Sequence, residues 1–131
     1  MAGFNQVVLM GKLVRDPDLK YVSGMPLCTL RLVVPRFYKG KDGQRKNDSL
    51  FIDVLVWRHM AEVCAQALRK QSEVMVSGRL QMNDWTGRDG HRRQAYRVQS
   101  ERIQFLRRGP SEAQAGAENE TPEEKPNSDA A

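Results

Sequence analysis

Two segments of the chain set rings and cations around an Asp-Gly pair. In the first, Phe37 and Tyr38 lead into Lys39-Gly40-Lys41-Asp42-Gly43-Gln44-Arg45-Lys46. In the second, Trp85 leads into Thr86-Gly87-Arg88-Asp89-Gly90-His91-Arg92-Arg93, with Tyr96 close behind. Asp-Gly between two strand-like runs is the strongest short-range signal for a β-hairpin. Cations that meet phosphates, beside flat rings that meet bases, are what binding to a single-stranded nucleic acid requires. One basic turn would be read as a solubilising surface. Two of the same design, each entered by an aromatic, favour a nucleic-acid ligand.

Other chemistry finds little support. His59 and His91 stand without a nucleophile or carboxylate at recognisable spacing. Asp16 and Asp18 flank Pro17 and are explained as turn residues rather than as metal ligands. Gly40 and Gly43, or Gly87 and Gly90, make no phosphate loop, because neither a helix nor Gly-Lys-Ser/Thr follows. Cys28 and Cys64 lack metal-ligand spacing and are too few for a disulfide scaffold, so buried reduced thiols are expected. No catalytic residue, metal or cofactor is expected.

Charge divides the chain in two. Residues 1–108 hold 20 Lys/Arg against 10 Asp/Glu, and residues 109–131 hold one against six, giving +10 and −5. This describes a basic body with an acidic tail. The tail is rich in Glu, Ala, Pro, Asn and Ser and has no aromatic, so it is expected to be disordered. No run approaches roughly 18 consecutive apolar residues. A soluble, cytoplasmic protein that associates with the nucleoid is expected.

The elements that must position the rings and cations follow from periodicity. Phe4 to Val14 reads as a strand broken by Gly11, and Leu19 to Val22 as a short one. Leu27 to Phe37 alternates Cys28, Leu30, Leu32 and Val34 with Thr29, Arg31 and Val33. The run to Trp57 alternates Ile52, Val54 and Val56 with Phe51, Asp53, Leu55 and Trp57, so one set fills a core and the other forms a platform. Met60, Val63, Cys64, Ala67 and Leu68 recur at helical spacing. Two strands follow, Ser72 to Met82 with Val74, Val76 and Leu80 on one side and a bend at Gly78, then Gln94 to Leu106. Val98, Ile103, Phe105 and Phe4 are core candidates. Five strands with one helix between the third and fourth fit an all-β OB-fold barrel, which binds oligonucleotides on one face.

Gly3-Phe4-Asn5-Gln6-Val7-Val8-Leu9-Met10-Gly11-Lys12-Leu13-Val14-Arg15-Asp16-Pro17-Asp18 closely resembles the opening of bacterial single-stranded DNA-binding proteins, the SSB family. The resemblance continues through Phe51 to Trp57, Ala61-Glu62-Val63, Leu68-Arg69-Lys70, Val74, Gly78-Arg79-Leu80 and Trp85-Thr86. It implies an OB barrel over about residues 3–106 that assembles as a homotetramer and wraps single-stranded DNA without catalysis. Stacking aromatics of the family correspond to Phe37, Phe51, Trp57 and Trp85, and a basic pair along the DNA path to Arg69 and Lys70. Strand alternation alone leaves Trp57 open to either the core rim or the ligand face. Lys39, Lys41, Arg45, Lys46, Arg79, Arg88, Arg92 and Arg93 complete the expected phosphate contacts.

Three departures qualify the resemblance. Before Trp85 the family often carries basic residues, whereas this chain has Gln81-Met82-Asn83-Asp84, so part of the phosphate path is expected to be weakened or moved onto Arg79. Ile52 stands where a histidine often sits at a subunit contact. The tail ends Pro126-Asn127-Ser128-Asp129-Ala130-Ala131, without the apolar tip that docks replication and repair proteins, so recruitment through it is discounted. The implied function is sequence-independent protection of single-stranded DNA in replication, recombination and repair. The alternatives are an RNA-binding or primosomal OB protein, and a protein-interaction adaptor.

Overall fold

The computed structural model of the chain describes residues 1–109. The acidic segment expected to be disordered lies, from residue 110 onward, outside the described residues. Elements run in the order β1 Val7–Leu13, β2 Asp18–Val22, β3 Met25–Val34, β4 Phe37–Lys39, β5 Arg45–Asn47, β6 Leu50–Trp57, α1 His59–Ala67, β7 Glu73–Thr86 and β8 Arg92–Arg107.

Five of these strands close a ring. β1 pairs with β7, β7 with β8, β8 with β6, and β6 with β3. β3 returns to β1 through Lys12 opposite Val33 and Leu13 opposite Leu32. All pairings are antiparallel except that of β6 with β8. This is the expected OB barrel, with its helix between the third and fourth barrel strands. β2 folds back on β3, and β4 with β5 forms a separate two-stranded arm.

Two glycines make the closure possible. A Cβ on Gly11 would run into the carbonyl oxygen of Val33, and one on Gly78 into that of Gln99. Gly11 lies where β1 leaves β7 for β3. The register of β7 against β8 shifts between Ser77 and Gly78, the bend expected there.

The inward set of each strand fills the barrel: Cys28, Leu30 and Leu32 from β3, Ile52, Val54 and Val56 from β6, Val74 and Val76 from β7, and Val98 from β8. Ala61, Cys64 and Leu68 close one end. Burial pushes the Cys28 thiol up to about 11 and that of Cys64 up to about 12, so both stay protonated and unreactive. Ser72 is the buried polar residue here, and its Oγ accepts from the N–H groups of Arg69 and Gly109.

Two core expectations are overturned. Phe4 is 90 % exposed, because it precedes β1 and has no strand beside it. Phe105 pairs with Val74 next to a register irregularity at Glu73/Val74 and is left partly exposed. Leu80 is likewise exposed, although its partner on β8, Val98, lies in the core. Conversely, Val33 and Leu55 are buried on the outward set.

Candidate nucleic-acid interface

The two basic segments fold into the same turn. In the first, Gly43 N–H donates to the Gly40 carbonyl at 2.9 Å and Gly40 N–H to the Gln44 carbonyl at 2.8 Å. In the second, Gly90 donates to Gly87 at 3.0 Å and Gly87 to His91 at 2.8 Å. Asp42 accepts from Gln44 N–H, and Asp89 from His91 N–H, each at 3.0 Å. Gly43 and Gly90 both have φ of 82°, a conformation that favours glycine. Only the glycine of each Asp-Gly pair has positive φ, so this is a type I turn closed by a glycine bulge, not a two-residue I′ loop. Each aspartate then meets a cation four residues on, Lys46 at 3.7 Å and Arg93 at 2.8 Å. The Gln44 N–H, ahead of Lys46, holds the Asp42 carboxyl below the usual carboxylate range.

The arms differ in what supports them. β4 and β5 are three residues each and pair only with one another. Arg36 braces their base on Asp48 at 2.8 Å. Phe37 is 51 % exposed, with the Arg45 guanidinium 5.1 Å from its ring centre. β7 and β8 instead continue from the barrel without a break, carrying Trp85 opposite Arg93.

Strand register assembles one outer face. β3 and β6 set Leu27 opposite Trp57, Thr29 opposite Leu55, Arg31 opposite Asp53 and Val33 opposite Phe51. The parallel pairing carries that face from Asp53 to Arg97 and from Leu55 to Gln99. From β8 it passes to β7 through Arg97 opposite Gln81, Ala95 opposite Asn83 and Arg93 opposite Trp85. Side chains alternate across a strand, so Phe51, Trp57 and Trp85 share this face with Arg31, Arg79, Arg93 and Arg97. Phe51 and Trp57 are half-buried and Trp85 is 44 % exposed. Trp57 thus belongs to the face and not to the core. A groove of roughly 390 Å³ crosses it, lined among others by Thr29, Asp53, Asn83, Trp85 and Arg97.

The remaining expected residues are dispersed. Lys39 lies opposite Arg45 on the first arm, with Lys41 exposed in its turn. Arg88 is exposed in the second turn. Arg92 faces the reverse side of that arm and binds Asp84 at 3.0 Å. Arg79, already placed on the outer face, pairs there with Glu101 at 3.4 Å. Arg69 and Lys70 lie in the turn between α1 and β7, off the strands of the outer face, where Lys70 N–H is held by Asp16 at 2.8 Å. The Arg69 Nε is buried, with no hydrogen-bond partner among the described residues.

Sequence reasoning did not single out Arg31 and Arg97 as candidates. Arg31 binds Asp53 at 3.3 Å, and Arg97 donates from Nε to Gln81 at 3.1 Å. The alternation of Arg31 with buried neighbours was a visible signal, but only the register joins it to Arg97. Tyr38, under the Arg36 guanidinium at 4.7 Å, is a further ring on the first arm.

Rings on a basic outer face can stack bases and neutralise phosphates, and among the described residues no cluster of His, Cys, Asp and Glu could hold a metal ion. Comparisons with known proteins find relatives of one kind. The single-stranded DNA-binding protein of Bacillus cereus is 40% identical over 121 residues, covering 90% of this chain and 69% of its own. That of Deinococcus radiodurans is 36% identical over 119 residues, covering 90% of this chain and 39% of its own. The crystal structure of a deletion mutant of the single-stranded DNA binding protein from Thermus aquaticus matches with a TM-score of 0.68 at 30% identity, over 79% of this chain and 51% of that one. The chain therefore spans between 39% and 69% of the length of these relatives. Residues 4–106 match the family described as the Single-strand binding protein family, and the chain belongs to it.

Proposed function

We propose that this protein binds and protects single-stranded DNA without sequence preference, through bases stacked on Phe37, Phe51, Trp57 and Trp85 and phosphates met by Lys and Arg. The observation that carries this reading is the sharing of one basic outer face by Phe51, Trp57 and Trp85. Stacking is worth about 1–3 kcal/mol per base and is indifferent to base identity, so four rings supply affinity without reading sequence. The family is one of non-catalytic DNA-binding proteins, and this chain acts as a binder in replication, recombination and repair, in the cytoplasm. Competition between poly-dT and RNA of equal length tests the choice of ligand. DNA is expected to win, and RNA winning would favour an RNA-binding or primosomal role.

Residues 1–108 act as the DNA-binding domain and the acidic segment as an appendage. The assembly is a homotetramer in which β1 pairs across subunits. Supporting this, residues 7–11 of β1 pair with β7 on one side and have no strand on the other among the described residues. Val8 and Met10 on this strand are 58 % and 60 % exposed. An open apolar edge of this kind is a template for another strand.

A further inference from the structure

The outer face does not end at Trp57. Across β2, β3 and β6, Lys20, Leu27 and Trp57 stand in one row. Arg58 follows Trp57 directly and is exposed. It makes no ion pair among the described residues. Lys20 touches Asp18 only at 4.0 Å, with both side chains largely in water. Trp57 thus has one cation in its row across the sheet and another next to it along the chain, at an end of the face where no phosphate contact is expected from the sequence.

The backbone of Arg58 adds an independent observation. Its φ of 67° and ψ of −146° belong to a region that glycine occupies freely and a side chain with a Cβ does not. The conformation is imposed from both sides. Arg58 N–H donates to the Pro26 carbonyl at 2.9 Å, and its own carbonyl accepts from Ala61 N–H at 2.9 Å. A glycine would satisfy both bonds without strain. Strain that persists where the surroundings over-determine it is typical of functional positions.

We propose that the nucleic-acid path extends past Trp57 over the β2 edge, with Arg58 and Lys20 contacting the phosphates that flank a base stacked on Trp57. Arg58 is retained there at the expense of backbone strain because its guanidinium is needed beside the ring. This rests on the reading that the chain binds single-stranded DNA, and titration of the unaltered protein with oligo-dT checks that reading first. If the unaltered protein does not bind, the functional reading itself fails.

Given binding, Arg58→Gly separates the two properties of the position. The variant melts at a higher temperature, because the strain is gone. It binds oligo-dT about three- to tenfold more weakly at low salt, and its slope of log affinity on log salt is shallower by about 0.7, the value for one lost phosphate contact. Arg58→Lys keeps the slope, and Lys20→Ala flattens it by a similar amount. An Arg58→Gly variant that binds with unchanged affinity and slope overturns the proposal, as does one whose melting temperature fails to rise.

Discussion

Arg31 and Asp53 meet across β3 and β6, Nη1 to Oδ1 at 3.3 Å, in the middle of the face that carries Phe51, Trp57 and Trp85. A carboxylate there repels a polyanion while it orients the guanidinium. At 8 Å in water, one phosphate costs about 0.5 kcal/mol of repulsion, roughly twofold in affinity. Asp53→Asn is therefore expected to tighten oligo-dT binding about two- to fivefold at low salt, with several phosphates in range. Titration of the variant beside the parent measures this, and unchanged or weaker binding would contradict it. The pair is partly exposed, so stability should fall by less than about 1 kcal/mol.

The rings should separate by face. Trp57→Ala and Trp85→Ala are each expected to weaken binding by about 1–3 kcal/mol. Phe4→Ala, at a position 90 % exposed and off the strands, is expected to change neither binding nor stability by more than about 0.5 kcal/mol. Equal losses in all three would mean that exposure rather than position on the face governs binding.

The two arms should contribute unequally. Arg92 and Arg93 are already bound to Asp84 and Asp89, whereas Arg45 lies over the Phe37 ring and Lys39 stands opposite it. Replacing Lys39, Lys41 and Arg45 by Ala is expected to flatten the salt slope by roughly 2, three contacts at about 0.7 each. Replacing Arg88, Arg92 and Arg93 should flatten it by less. The reverse order would assign the dominant role to the β7–β8 arm.

The thiols report on the barrel. Cys28 and Cys64 are fully buried, and burial raises them to about 11 and about 12, above the value of an exposed thiol. Folding therefore favours the protonated form. Its contribution is whole below the unfolded value, about 8.5, and declines as pH rises from there toward the folded values. At pH 8 a thiol reagent should modify neither cysteine in the native protein and both in guanidinium. Fast native modification would mean that the region between β3 and α1 opens.

Much of this fold is legible along the chain because its cues are local. Gly11 and Gly78 mark close backbone crossings, the Asp-Gly pairs mark turns, and the helical spacing from Met60 to Leu68 marks the helix that forms over His59–Ala67. What local cues lack is register. Arg31, Asp53 and Arg97 become one row only when β3, β6 and β8 align, and nothing near any of them in the chain announces the others. Phe4 and Phe105 mislead for the same reason, since residue type suggests burial and only the sheet's extent denies it. The turn type differs from the simplest Asp-Gly loop because the right-handed conformation at Asp42 lets its carboxylate accept from Gln44, a bond repeated at Asp89.

Bases are expected to stack on the tryptophans of the basic outer face. Tryptophan fluorescence titrated with oligo-dT at several salt concentrations tests this most directly, since Trp57 and Trp85 are the two tryptophans of the chain. Strong quenching is expected, with a log affinity that falls linearly with log salt at about −0.7 per phosphate contact. Fluorescence that stays flat, with a shallow dependence on salt, would contradict it.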